Sequence, residues 1–136
     1  MDNENEIANR RHDRVFAKLP VRLATIEPEK DPWTGRPFFR SLQETSANVS
    51  RGGAFVQTQE MLDAGRRVLL ELHLPNGSRV EAIGRIAWAK RVISPEGVAP
   101  DAGVGIEFLG GASEQFSALE DFLDRAERAM AEKPEE

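Results

Sequence analysis

Val68-Leu69-Leu70-Glu71-Leu72-His73-Leu74-Pro75-Asn76-Gly77-Ser78-Arg79-Val80-Glu81-Ala82-Ile83-Gly84-Arg85-Ile86-Ala87-Trp88 decides the fold of this chain. Val68, Leu70, Leu72 and Leu74 recur every second residue, the period of an extended strand with one face buried. Pro75-Asn76-Gly77-Ser78 then breaks the run, and Asn-Gly readily takes the positive φ angles of a tight turn. From Arg79 to Val92 a second run returns as the partner strand. A long antiparallel hairpin is therefore the expected centre of the molecule.

The same punctuation extends outward in both directions. Upstream, Pro20–Ile26 alternates like a strand, Asp31–Pro37 is a turn cluster with two prolines and a glycine, and Phe38–Ala47 returns as its partner. Ala54–Thr58 is a short strand, and Leu62–Gly65 turns the chain into the central hairpin. Downstream, Ser94–Asp101 is a Pro/Gly loop and Gly103–Leu109 a last strand. The period changes at Ser113–Met130, where Phe116, Leu119, Leu123, Ala126 and Met130 recur at three and four with Phe122 beside them, an apolar helical stripe. Ser113 suits the N-cap, with Glu114 in the first turn and Arg125 and Arg128 near the end complementing the helix dipole. Six strands and one C-terminal helix follow, between a flexible acidic lead (residues 1–9) and a frayed tail (131–136).

With 136 residues, one domain with a single core is expected. Hydrophobic residues at 40% and charged ones at 30% describe an ordinary water-soluble composition, with no apolar run long enough for a membrane helix. Met1–Asn9 is polar and acidic, unlike a leader peptide, so a cytoplasmic address is expected. The absence of cysteine excludes disulfides and thiolate metal sites. A net charge of −5 argues against a general binder of nucleic acid polymers, and confines any anion site to a local basic cluster.

One such cluster is Arg10-Arg11-His12-Asp13-Arg14, ahead of the first strand. Arginine presents a rigid fork of donors that fits phosphate and the O6/N7 edge of guanine. Asn48-Val49-Ser50-Arg51-Gly52-Gly53, between two strands, is an Asn-x-Ser-x-x-Gly turn whose backbone N–H groups can approach an anion closely. Arg10 with Arg14, followed by Asn48, Ser50 and Gly53, resembles the R-x-x-x-R and [D/N]-x-S-x-x-G motifs of the PilZ domains, receptors for cyclic di-GMP. Gly84-Arg85-Ile86-Ala87-Trp88 is similar to a late strand of that family, and Gly103-Val104-Gly105-Ile106-Glu107-Phe108 to its closing strand. The match runs from about Arg10 to Leu109, and from Asn48 onward looks like the stand-alone PilZ proteins of myxobacteria.

The resemblance implies an all-β fold with small α content, a six-stranded antiparallel barrel (19–109) closed by a C-terminal helix (113–130), behind a ligand-binding arm (10–18). It implies a non-catalytic cyclic di-GMP receptor that passes the signal to a partner protein in motility, exopolysaccharide formation or development, with no cofactor beyond that ligand. Arg10, Arg11, Arg14, Asn48, Ser50, Gly52 and Gly53 are the expected ligand contacts. Arg51, placed to stack on a base or face solvent, and Trp88 are further candidates. Asp13 can pair with a neighbouring arginine, but an exposed pair is worth only about 0–1 kcal/mol.

Blander readings compete. Asn48 and Ser50 commonly bond their own turn backbone. For Trp88, packing in the barrel wall is favoured over stacking on guanine. Trp33, between prolines, either tucks onto the barrel or is offered to a partner. Glu71, Glu81 and Glu107 most simply face water. His12 and His73 lie far apart, so no metal site is expected, and no nucleophile with an adjacent base is legible. The helix stripe is short for a coiled coil and suits packing on the barrel, leaving monomer and homodimer both open. The alternative function is a protein-interaction adaptor with an idle nucleotide site. A single-strand nucleic-acid barrel ranks below both, for want of aromatic platforms.

Overall fold

The computed structural model describes residues 15–132, with side chains through Ala129. Six strands close a barrel: β1 (Pro20–Thr25), β4 (Ser41–Val49), β5 (Gly53–Gln57), β6 (Arg67–His73), β7 (Arg79–Lys90) and β10 (Gly103–Gly111). The order around it is β1-β4-β5-β10-β7-β6, every neighbouring pair is antiparallel, and β1 pairs with β6 to close the ring. Closure leaves no free edge among these strands. Two short pairs decorate the connections: β2 (Glu29–Lys30) with β3 (Pro37–Phe38), and β8 (Ile93–Ser94) with β9 (Gly97–Val98). The latter pair lies in the expected Ser94–Asp101 loop, where Gly97 at φ 116° supplies the turn.

Alternation fills the interior. Val21 and Leu23, then Val68, Leu70 and Leu72, then Val80 and Ile86, with Val56, Val104 and Ile106, make one buried cluster. Helix α1 (Ser113–Glu132) seals it: Leu119 and Leu123 are fully buried, with Phe116, Phe122 and Ala126 packed beside them. The apolar stripe is thus occupied by the barrel. Val15 and Leu19, in the segment before β1, also belong to this core.

Several local expectations change. Glu71 does not face water: it is 8% exposed, its carboxylate 3.2 Å from His73 Nε2 and 3.3 Å from Arg79 Nη1. In the central hairpin only Gly77 has positive φ (93°), because Pro75 fixes a negative φ early in the turn. The Phe116 N–H donates to the Ala112 carbonyl, so Ala112 rather than Ser113 occupies the cap position. The helix runs to Glu132, which places Arg125 and Arg128 before its last turn.

Candidate functional site

Strand register builds a site on the outer wall. Along β4, Ser46 pairs with Val56 but Asn48 with Phe55, so Ala47 is an extra, bulged residue. Along β7, Trp88 pairs with Gly105 but Ile86 with Ile106, so Ala87 is bulged in the same way. Ser46 and Ile86 both point into the barrel and are fully buried. Simple alternation would send Asn48 and Trp88 inward after them. Each bulge reverses the phase, and both side chains emerge on the outer face, on either side of β5 and β10.

Glycine provides the floor between them. A Cβ at Gly105 would overlap the indole of Trp88, so the ring lies flat over bare backbone. Phe55 lies on Gly103 in the same manner and stacks on Trp88, with ring centroids 5.1 Å apart and planes 22° from parallel. The result is a cleft of about 310 Å³ lined by Asn48, Ser50, Gly52, Gly53, Trp88 and Glu107 with their neighbours. That volume is at the lower end of the roughly 300–1,000 Å³ range of ligand sites. Trp88 is 51% exposed and is a wall of this cleft rather than part of the core. The packing expected for it takes the form of contacts with Phe55 and the Gly105 backbone. The signal that points to this arrangement is Gly103-x-Gly105, a glycine pair inside a strand.

The turn residues divide between structure and availability. The Ser50 N–H donates to the Gly53 carbonyl at 2.8 Å, and its hydroxyl accepts from the Gly52 N–H at 3.2 Å. Phe108 N–H donates to the Gly52 carbonyl, fastening the turn to β10. The Asn48 carboxamide has no hydrogen-bond partner among the described residues. Gly53 is glycine for a reason internal to the barrel: a Cβ there would run into the Ile106 carbonyl oxygen. Arg51 neither stacks across the cleft nor simply faces solvent. Its guanidinium reaches α1, with Nη2 2.6 Å from Asp124 Oδ1 and Nη1 3.8 Å from Glu127 Oε2.

Arg10, Arg11 and Arg14 lie outside the described residues. The segment that follows them is anchored beside the cleft. Val15 and Val49, the second residue of the Asn48–Gly53 motif, exchange two backbone hydrogen bonds at 2.8 Å. Buried Ser46 fixes the next residues, its hydroxyl donating to the Ala17 carbonyl at 2.6 Å and accepting from the Leu19 N–H at 2.9 Å. Among the described residues no group of His, Asp and Glu could hold a metal ion, and no helix is long and apolar enough to cross a membrane.

The β2–β3 hairpin leads into the start of β4, whereas the Asn48–Gly53 turn leaves its end; the hairpin carries Trp33, which is 93% exposed. Asp31 Oδ1 accepts from the N–H groups of Trp33 (2.7 Å) and Thr34 (3.0 Å), and these bonds hold its carboxyl below the usual carboxylate range. Arg40 grips Glu29 with Nε and Nη2, both at 2.7 Å, and the Met61 carbonyl at 2.8 Å. The hydrogen bonds from Arg40 lower the Glu29 pKa.

Fold and cleft together define a small closed β-barrel with a ligand-sized depression on its outer wall. The chain belongs to the PilZ domain family, whose model matches residues 8–125. Among curated proteins none matches the chain. Solved structures share the fold. The Bacillus subtilis inhibitor of motility MotI/DgrA matches with a TM-score of 0.63 at 18% identity, over 90% of this chain and 52% of its own. This chain thus spans about half the length of that protein. The PilZ domain of YcgR from Escherichia coli, whose structure was determined with c-di-GMP, gives 0.55 at 19% identity, over 88% of this chain and 92% of its own. The PilZ domain of CeSA from a cellulose-synthesizing bacterium gives 0.51 at 18%, over 82% and 96%.

Proposed function

We propose that this chain is a non-catalytic receptor for cyclic di-GMP that hands its signal to a partner protein. Asn48, Ser50 and the Gly52–Gly53 backbone receive the nucleotide on the outer-wall cleft, Trp88 stacks on a guanine, and Arg10, Arg11 and Arg14 close over it. One observation carries this reading: the Asn48–Gly53 motif borders a cleft, and Val15 is bridged to Val49, the second residue of that motif. The YcgR domain that shares the fold is a c-di-GMP complex, which supports the choice of ligand.

In energetic terms, ordering an arginine-bearing segment costs conformational entropy. Charge-assisted hydrogen bonds of about 1.5–3 kcal/mol each offset it. The closed segment and its ligand then present a surface that the empty protein lacks, and a partner that prefers this surface completes the signal. The exposed Trp33 hairpin is a second place for that partner to touch.

Isothermal titration with cyclic di-GMP, with GTP and cyclic di-AMP as controls, tests the proposal. Saturable binding is expected, weakened at least about tenfold by Arg14→Ala, since about 1.4 kcal/mol is one decade. Unchanged affinity in Arg14→Ala would sink the role of the arm. Absence of binding at high micromolar nucleotide would overturn the receptor reading and leave a protein-interaction adaptor.

A further inference from the structure

The cleft contains a charge that a phosphate site would not choose. Among the described residues lining it, Glu107 alone has an ionisable side chain. That side chain is half exposed (50%), and its Oε1 lies 2.7 Å from Arg85 Nη2, directly across the β10–β7 pair. On the other side its register partner is Gly53, which has no side chain to screen the carboxylate from the cleft. Two residues along the same face of β10, Gly105 carries the indole of Trp88. An aromatic platform and an acceptor therefore stand about 7 Å apart along one strand.

A carboxylate only accepts hydrogen bonds. Phosphate oxygens and the O6/N7 edge of guanine also only accept, so Glu107 repels both. The opposite edge of guanine is different. Its N1–H and 2-amino group are parallel donors, spaced for the two oxygens of a carboxylate. Arginine forks suit the first edge and a carboxylate suits the second, so one base can satisfy both kinds of residue.

We propose, building on the receptor reading above, that Glu107 selects guanine by accepting from N1–H and the 2-amino group of a base stacked on Trp88. Arg85 is the positioning residue: its bond to Oε1 aims the carboxylate, and the second lone pair of Oε1 together with Oε2 remains for the base. Adenine turns an acceptor, its own N1, toward Glu107 and has no 2-amino group. The site rejects it by opposing lone pairs rather than by shape.

The test titrates the full chain with cyclic di-GMP, cyclic di-IMP (which lacks only the 2-amino groups) and cyclic di-AMP. The wild type should bind cyclic di-GMP at least about tenfold tighter than cyclic di-IMP, as loss of a charge-assisted bond requires. In Glu107→Gln that ratio should fall to within about threefold, with cyclic di-GMP weakened more than cyclic di-IMP, which keeps only the N1–H donor. Arg85→Gln should reduce the same ratio partially. A thermal melt of each variant separates this effect from folding, because an exposed ion pair contributes little. If the wild type binds cyclic di-GMP and Glu107→Gln keeps the full ratio, the role of Glu107 is overturned and the receptor reading stands. If the wild type binds none of the three, the receptor reading fails and the selection argument fails with it.

Discussion

Both tryptophans of the chain are exposed, and the fold treats them in opposite ways. Trp88 sits where a bulge in β7 turns it outward, against Phe55 and above a glycine whose side chain would have displaced it. Trp33 rides a hairpin whose order comes from its neighbours, the Asp31 carboxylate and the Arg40–Glu29 pair, while its own ring meets water. Exposure alone therefore does not mark a binding residue. The difference lies in whether backbone geometry has been committed to holding the ring. A bulge leaves an extra residue unpaired in the ladder, and strand glycines forgo side-chain packing. The cleft around Trp88 uses both, and the hairpin around Trp33 uses only turn chemistry.

The largest break in that comparison is at the floor of the cleft. Gly53→Val forces a branched side chain into the Ile106 carbonyl, a backbone atom that cannot move aside. We expect a loss of at least about 2 kcal/mol. That corresponds to roughly 6 °C or more in Tm for a chain of this size. Gly52→Ala is the control, because a Cβ there meets nothing within 4 Å. Thermal melts of the two variants check this directly. Equal melting would mean that Gly53 serves the ligand rather than the barrel.

Next in size is Trp88→Ala. Stacking of a base on an aromatic side chain is worth about 1–3 kcal/mol, so cyclic di-GMP affinity should fall by at least about fivefold. Stability should change by no more than about 1 kcal/mol, the worth of the Phe55 contact. Titration and melting on the same sample decide between the roles. Unchanged affinity with a large drop in Tm would make Trp88 a packing residue after all.

Six strands, their order along the chain and the helix were legible from period alone, because a half-buried strand and an amphipathic helix stamp their geometry on the sequence. The motif residues Asn48, Ser50, Gly52 and Gly53 were legible as a turn between two strands. What period could not supply was phase. Ala47 and Ala87 look like ordinary strand residues, yet each shifts the register by one and changes which face its successor occupies. The exposure of Trp88 hangs on that shift. Glu71 departs from simple alternation for a related reason: its position alternates outward, but cross-strand Arg79 and His73, two residues on, fold over it. Alternation assigns a face, and neighbouring side chains decide how wet that face is.

The smallest effect should come from Trp33→Ser. Its indole is 93% exposed, and the turn beneath it is fixed by backbone N–H groups that serine also has. Surface substitutions of this kind usually fall within about 0.5 kcal/mol, so Tm should move by less than about 2 °C. Cyclic di-GMP affinity should stay within about twofold of wild type, because the hairpin shares none of the residues that line the cleft. A melt and a titration suffice. A loss beyond 1 kcal/mol would show that the ring packs against the barrel in solution and erase its contrast with Trp88. A silent substitution leaves a large apolar ring that contributes to neither folding nor ligand binding, which is the profile of a residue kept for contact with another protein.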